Sequence, residues 1–420
     1  MTTSQPPAAH PGARGDVLAL ARALIRAPSP NPPGGEHAVA GVVTEIARDL
    51  GLPEPEVLAR DGNRPNLLFS VDFGRGGRHL VLSGHLDTKP VGDATWQVDP
   101  LAADVRGDRL YGLGSADMKA AIAAMLVAAA QVGSEGLGAG RLSLLFTADE
   151  EDGASYGAHF LAALQAVRGD AVVIGEPGGM RSDFDRLHLV SRGIARLRIT
   201  ASGRQGHSSL SDLDGSDPAA ANAGVAAARA VNAVAAGVPL AVPTNEHDLL
   251  GWHATVNTGL AFRGGVGFGV LPGQVSVDTE VRLLPGMDRG QILAALQHAV
   301  AGVVPGAGPT VSVGYDTPPR DWLPATQVRP DDAVAIAARD ACAAVLGAVP
   351  PDSVFPGTTD AAWFGGLAAI PTLPAFGPGL LARAHGADEW VSVSAVRTAV
   401  DLYSELARRF CAGTMDGQRR

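Results

Sequence analysis

Apolar residues recur at helical spacing from Asp16 to Arg26, and the APSPNPPGGE that follows stops this helix with prolines and glycines. A second helical stretch runs from about Glu36 to Leu50. The pattern then changes to short leucine-rich or β-branched runs that end in polar residues: NLLFSVDF, HLVLSGHLD, RLSLLFTADEE and AVVIGEP. A helical stretch from Met118 to Val132 separates the second run from the third. Fully apolar strands alternating with helices predict an α/β fold whose mainly parallel sheet is covered on both faces. In such sheets ligands gather at the carboxyl ends of the strands, and here those ends carry the chemically active residues.

After Glu176 the texture changes. A long alternating segment, LHLVSRGIARLRITASGRQ, is followed by an alanine-rich helix near residues 218 to 236 and by the strands VSVDTEVRLL and TVSVGYD. These predict a separate α+β unit over 193–316, inserted between two parts of the first domain, 1–192 and 317–420. The second part returns to alternating helix and strand, with helices near Asp331 to Leu346 and Ser392 to Phe410. A length of 420 residues fits two structural units, because single cores stop growing well below that size.

Charge and composition narrow the function. The formal net charge is −10 and no basic run occurs, which argues against nucleic acid or an anionic membrane surface as partner. Cys342 and Cys411 are the only cysteines and form no CxxC or CxxH spacing, so any metal must be held by histidine and carboxylate. The amino-terminal MTTSQPPAAHPGARGD reads as a frayed tail without an apolar core and cleavage site, and the expected location is cytoplasmic. The longest apolar stretch, from Ala120 to Val132, is expected to be a packed helix too short to span a bilayer.

The candidate chemistry lies at strand ends. In SGHLDT, His85 and Asp87 are two apart, so both side chains point to one face; they suit either a metal ligand with a supporting carboxylate or ordinary hydrogen bonding. In LYGLGSADMK, Asp117 stands at the mouth of a helix, where it serves either as an N-cap or as a carboxylate bridging two cations. Asp149, Glu150 and Glu151 end an apolar strand consecutively, and their mutual repulsion is costly unless something cationic compensates it. IGEP adds Glu176 and LARAHGADEW adds His385. Together these residues make the nitrogen and oxygen donor set that suits catalytic zinc and related divalent metals.

SGHLDT, LYGLGSADMK, TADEEDG, IGEP and AHGADEW, in this order and at these intervals, resemble the dizinc peptidase and deacylase family. That family includes acetylornithine deacetylase, succinyl-diaminopimelate desuccinylase, the aminoacylases and glutamate carboxypeptidase. The resemblance runs from SPNPPGGE to the last histidine motif. It implies a zinc-aminopeptidase-like catalytic domain with an inserted lid and dimerisation domain, and two divalent metals, zinc or else cobalt or manganese. By the same resemblance His85 and Glu176 hold one metal, Glu151 and His385 the other, and Asp117 bridges them before a cis peptide. Glu150 is then the general base and Asp87 the support of His85.

The resemblance also implies roles in the inserted unit. GRQGHSS places His207 where relatives stabilise the oxyanion in a partner subunit's site, which implies a homodimer. VDTEVRLLPG offers Arg282 to clasp a substrate carboxylate, a task that suits a bidentate guanidinium. In PGTTDAAWF, Thr359 and Asp360 are expected to cap a helix and to touch substrate. Three positions depart from the family pattern: Gly269, Leu113 and Ala120 stand where relatives commonly carry Asn, Arg and Gly. The implied reaction is hydrolysis of an N-acyl amino acid or related small amide. A carboxypeptidase or dipeptidase on the same metal centre is the alternative, and a non-catalytic binding protein would require a lost ligand or base.

Overall fold

The computed structural model describes residues 16–210, 222–242, 252–304 and 308–413, so the amino-terminal tail and the start of the alanine-rich helix lie outside the described residues. The chain divides into two compact units. The first comprises residues 1–190, 327–355 and 359–420, and the second residues 191–326 and 356–358. The first boundary falls close to the predicted 192. The second lies at 326, ten residues beyond the predicted 316, because Trp322–Leu323 pairs with Ala195 and Ile194 and extends the second unit's sheet.

The first unit is built on a six-stranded sheet in the order Glu56–Leu58, Asn66–Gly74, Gly140–Thr147, His79–His85, Ala171–Ile174, Thr372–Leu373. The last four strands run parallel to one another and the first two pair antiparallel at one edge. Leu80, Val81 and Leu82 are fully buried, as are Val172 and Val173, which is the pattern of parallel strands covered on both faces. Asp16 caps the helix Val17–Arg26 by accepting the Leu18 N–H (3.1 Å), and Ala21, Leu24 and Ile25 face inward.

The helix Ala120–Glu135 is the buried spine of this unit, packed against Val17–Arg26 and Val393–Cys411. With the irregular turn Ser115–Lys119 before it, the helical run reaches 21 residues, longer than expected and long enough by itself to cross a bilayer. Its surroundings decide the matter: every residue from Ala120 to Ala129 is buried among other helices and the sheet, on all faces. Alanine at so many positions lets the neighbouring backbones approach closely.

The second unit is an antiparallel sheet in the order Thr255–Gly264, Gln274–Leu283, Gly193–Ser202, Thr310–Tyr315, with Trp322–Leu323 also pairing to Gly193–Ser202. Its central strands alternate: Ala195, Leu197, Ile199 and Ala201 are buried, as are Val275, Val277, Val281 and Leu283. The helices Ala223–Ala235 and Arg289–Val300 cover that apolar side. One buried face and one wet face is what the alternating sequence requires.

Candidate metal centre

Strand register gathers the site. His85 pairs with Thr147 and Ser83 with Ile174, so three parallel strands end side by side and the residues just beyond them emerge at one sheet edge. Those residues are Asp87, the run Asp149–Glu151, and Glu176. Asp117 reaches the same edge from the turn before the central helix, where the Asp117–Met118 peptide is cis, as the resemblance implies. Met118 tucks under this edge beside two glycines: a Cβ on Gly84 or Gly175 would lie 2.5 or 2.8 Å from the Met118 Cε and would force that side chain to move.

The distances sort the ligands into two sets. His85 Nε2 stands 2.8 Å from Asp117 Oδ1 and 3.5 Å from Glu176 Oε1. His385 Nε2 stands 3.1 Å from Asp117 Oδ2 and 3.1 Å from Glu151 Oε1. The two oxygens of Asp117 thus face different partners, one per set. Glu150 offers an oxygen within 4.8 Å of donor atoms of both His85 and Glu176. The five implied ligands and the implied base therefore meet in one place, and all of them belong to the first unit.

Electrostatics describe a place short of positive charge. Burial, with the neighbouring Asp117 carboxylate, pushes Glu176 well above the ordinary carboxyl range. Burial together with the Glu151, Asp360 and Asp117 carboxylates does the same to Glu150. Burial opposes ionisation of Asp117 too, but hydrogen bonds from His385 and His85 outweigh it and hold Asp117 far below its usual value. His385 is pushed up to about 10 by its hydrogen bonds to Asp117 and Glu151. His85 rises well above its ordinary value despite full burial, through Asp117 and Asp87. Two imidazoles and three carboxylates of this kind fit two divalent cations sharing Asp117, which would balance the clustered negative charge.

The comparisons with known proteins agree with this geometry. The sequence model of peptidase family M20/M25/M40 matches residues 81–409. The chain belongs to this family. A succinyl-diaminopimelate desuccinylase from Gluconacetobacter diazotrophicus is 31% identical over 97% of this chain and 99% of its own. Among solved structures, the M20 family metallo-carboxypeptidase Sso-CP2 from Sulfolobus solfataricus superposes with a TM-score of 0.75 at 16% identity, covering 94% of this chain and 99% of that one. A dinuclear metal binding peptidase of the M20 family from Bacillus subtilis superposes with a TM-score of 0.65 at 16% identity, over 95% and 98% of the two chains. The protein is thus a metal-dependent amide hydrolase of the M20 family with the expected fold.

Within this M20 enzyme the supports differ from expectation in detail. His85 Nδ1 donates to the backbone carbonyl of Asp87 (2.9 Å), while the Asp87 carboxylate lies 3.6 Å away, too far for a hydrogen bond. That carboxylate instead accepts the backbone N–H groups of Glu150 (3.2 Å) and Glu151 (3.0 Å). Asp87 supports His85 by its main-chain carbonyl and by the charge of its carboxylate, which also holds the two glutamates.

Two supports carried no distinct signal in the sequence. Lys89, just after SGHLDT, pairs with the Glu151 carboxylate at 3.1 Å. Glu389, buried behind AHGADEW, accepts from the N–H groups of Gly114 (2.9 Å), Ala116 (2.8 Å) and Asp117 (3.0 Å), and so fixes the turn that carries Asp117. Burial with the nearby Asp117 charge sets Glu389 at about 8, against the pull of those donors. Glu389 sits inside one motif and Lys89 directly after another, and in each a histidine or aspartate accounts for the motif without them.

The remaining predicted residues are not among the ligands, although Asp360 lies near enough to act on Glu150. Thr359 and Asp360 are both buried; Thr359 Oγ1 accepts from Ala361 N–H (3.2 Å), the capping half of its predicted role. Asp360 accepts from the Thr147 hydroxyl (2.8 Å) and is pushed up to about 7 by burial. His207 and Arg282 belong to the second unit. His207 is exposed, with Nδ1 2.8 Å from the Ser209 hydroxyl, and Arg282 Nε donates to Glu280 at 3.0 Å.

Proposed function

We propose that this M20 enzyme removes an acyl group from the amine of an amino acid, with a succinylated amino diacid as the leading substrate class. The observation that carries the reaction is the division of Asp117 between two ligand sets with Glu150 beside them. The match to a succinyl-diaminopimelate desuccinylase along nearly its whole length supports the substrate class. His85 and Glu176 would hold one cation, Glu151 and His385 the other, and Asp117 both. Zinc suits this mixed imidazole and carboxylate set. When bound, the cations supply Lewis acidity that polarises the scissile carbonyl and acidifies water.

The chain's own contribution is proton transfer and placement. Glu150 takes a proton from the attacking water as the new C–O bond forms, then delivers it to the amine nitrogen as the C–N bond breaks, leaving the acyl group as a carboxylic acid. Burial beside neighbouring carboxylates raises its affinity for that proton. Asp87 and Lys89 hold the Glu150 and Glu151 segment steady during this exchange.

The reading extends to a cytoplasmic homodimer. Both cysteines are free and buried, in keeping with a reducing compartment. Thr255–Gly264 is an edge strand of the second unit and exposes Leu260 and Phe262, which suits pairing with a second copy.

Metal-reconstituted protein given N-succinyl and N-acetyl amino acids, N-succinyl amino diacids and dipeptides, with products read by mass spectrometry, tests the substrate. Release of succinate and a free amine is expected. Cleavage of dipeptides alone, or no turnover with zinc, cobalt or manganese, would overturn the reading.

A further inference from the structure

The motif SPNPPGGE ends in Glu36, which is fully buried. Its carboxylate accepts from Arg64 Nε (3.0 Å) and Nη2 (2.7 Å), from Gly35 N–H (3.0 Å) and from Asp149 N–H (3.1 Å). Arg64 Nη2 also lies 3.0 Å from Asp149 Oδ1. Gly34 makes room for this guanidinium: a Cβ there would lie 2.5 Å from the Arg64 Cζ. Asn31 of the same motif donates through Nδ2 to both Asp87 (2.8 Å) and Asp149 (3.0 Å).

The consequence reaches the site through the main chain. Asp149, Glu150 and Glu151 follow one another, and each backbone N–H is held by a buried carboxylate: Glu36 holds the first, Asp87 the second and third. We propose that Arg64, clamped by Glu36 and joined by Asn31, is a positioning unit that sets where the base Glu150 and the ligand Glu151 stand. It rests on reading this edge as a two-metal centre.

Three buried carboxylates, Glu36, Asp87 and Asp149, gather around one guanidinium. Stability alone does not call for this, because apolar residues of similar volume serve a core as well as buried ion pairs do. What the ions give is direction. A guanidinium grips Glu36 with two parallel N–H groups while touching Asp149, which a lysine ammonium cannot reproduce. Arg64 makes its hydrogen bonds and ion pairs to Glu36 and Asp149, not to a proposed ligand, and acts through them.

Arg64→Lys, Arg64→Met and Asn31→Ala variants of the full chain test this, each measured three ways. Zinc affinity comes from competition with a chromophoric chelator, stability from thermal melting of metal-free protein, and kcat and KM from acyl-amino acid hydrolysis. All three variants are expected to bind zinc about 10- to 100-fold more weakly, as loss of a group supporting metal ligands does. Their kcat is expected to fall while KM holds. Arg64→Lys should be as impaired as Arg64→Met, since the fork and not the charge is required.

A lower melting temperature with wild-type zinc affinity and kcat would reduce the network to a structural role. Full function in Arg64→Lys would also overturn the proposal. If the Arg64 variants fail to fold, Asn31→Ala, which removes no charge, decides the matter by the same readings. Wild-type protein that binds no zinc would overturn the reading of the centre; zinc binding by wild type and variants alike would overturn only the positioning role.

Discussion

The two halves of the metal centre are held in place by different means. His85 ends a central strand with 1% of its side chain exposed, and its partner Glu176 follows another strand with 6% exposed. His385 comes from a loop, has positive φ (62°), and exposes 47% of its side chain. The inner half is fixed by the sheet before anything binds there. In the outer half Glu151 is just as buried, with 4% of its side chain exposed, and only His385 depends on a loop and faces solvent. The centre is therefore architecture but for one adjustable ligand, with Asp117 joining the two sets.

Glu150→Gln tests the part that serves both halves and should have the largest effect. Activity is expected to fall by about 100- to 10,000-fold, the usual worth of a positioned base, while zinc content per chain stays unchanged. Near wild-type turnover would place the base elsewhere. A smaller effect separates the halves from each other. In chelator-treated protein, His385→Ala is expected to cost about 0.5–1.5 kcal/mol, since it removes a half-exposed hydrogen-bond partner of Asp117 and Glu151. His85→Ala should cost about 1–3 kcal/mol, because it strips a hydrogen-bond partner from buried Asp117. Equal losses in urea titrations would dissolve the distinction.

The smallest effect concerns pH and belongs to the buried side. Lys119, next to Asp117 in the turn, is buried and donates to the Ala27 carbonyl at 2.7 Å. Burial lowers it from 10.5 to about 7, against the attraction of Glu389 and Asp87. Between those values the unfolded chain binds a proton at this lysine that the folded chain has released, so the Lys119 contribution to stability rises as pH rises from about 7 towards 10, opposed over the same range by His385 with its folded value of about 10. The slope has a ceiling of about 1.4 kcal/mol per pH unit. Lys119→Met should flatten it, and melting curves of metal-free wild type and variant at pH 7, 8 and 9 measure the difference.

His85, Glu151 and Glu176 were legible because each stands just past an apolar strand, and strand register brings those ends together, whereas Asp117 and His385 were legible through their motifs. The sheet, the buried helix and the existence of an inserted unit were legible from periodicity in the same way. The support network was not. Glu36, Arg64 and Asp149 are ordinary residue types, the first two 28 positions apart in sequence and Glu36 and Asp149 113 apart, and no local pattern announces that they meet. Within TADEE, three adjacent acids looked like one cluster awaiting a cation, whereas Asp149 already has Arg64, and only its neighbours face the ligands. The end of the second unit was misplaced for a related reason: the pairing strand Trp322–Leu323 is too short to show a period.

The left-handed turn at Asp149 (φ 66°) is what sends three successive carboxylates in different directions. Spacing in this stretch thus encodes function more strictly than residue type does. One residue inserted or deleted between Ala148 and Asp152 would shift the frame, putting the base where the ligand belongs and the ligand in the buried pocket. Engineering of the centre can vary the composition of this segment by degrees, but its length permits no intermediate.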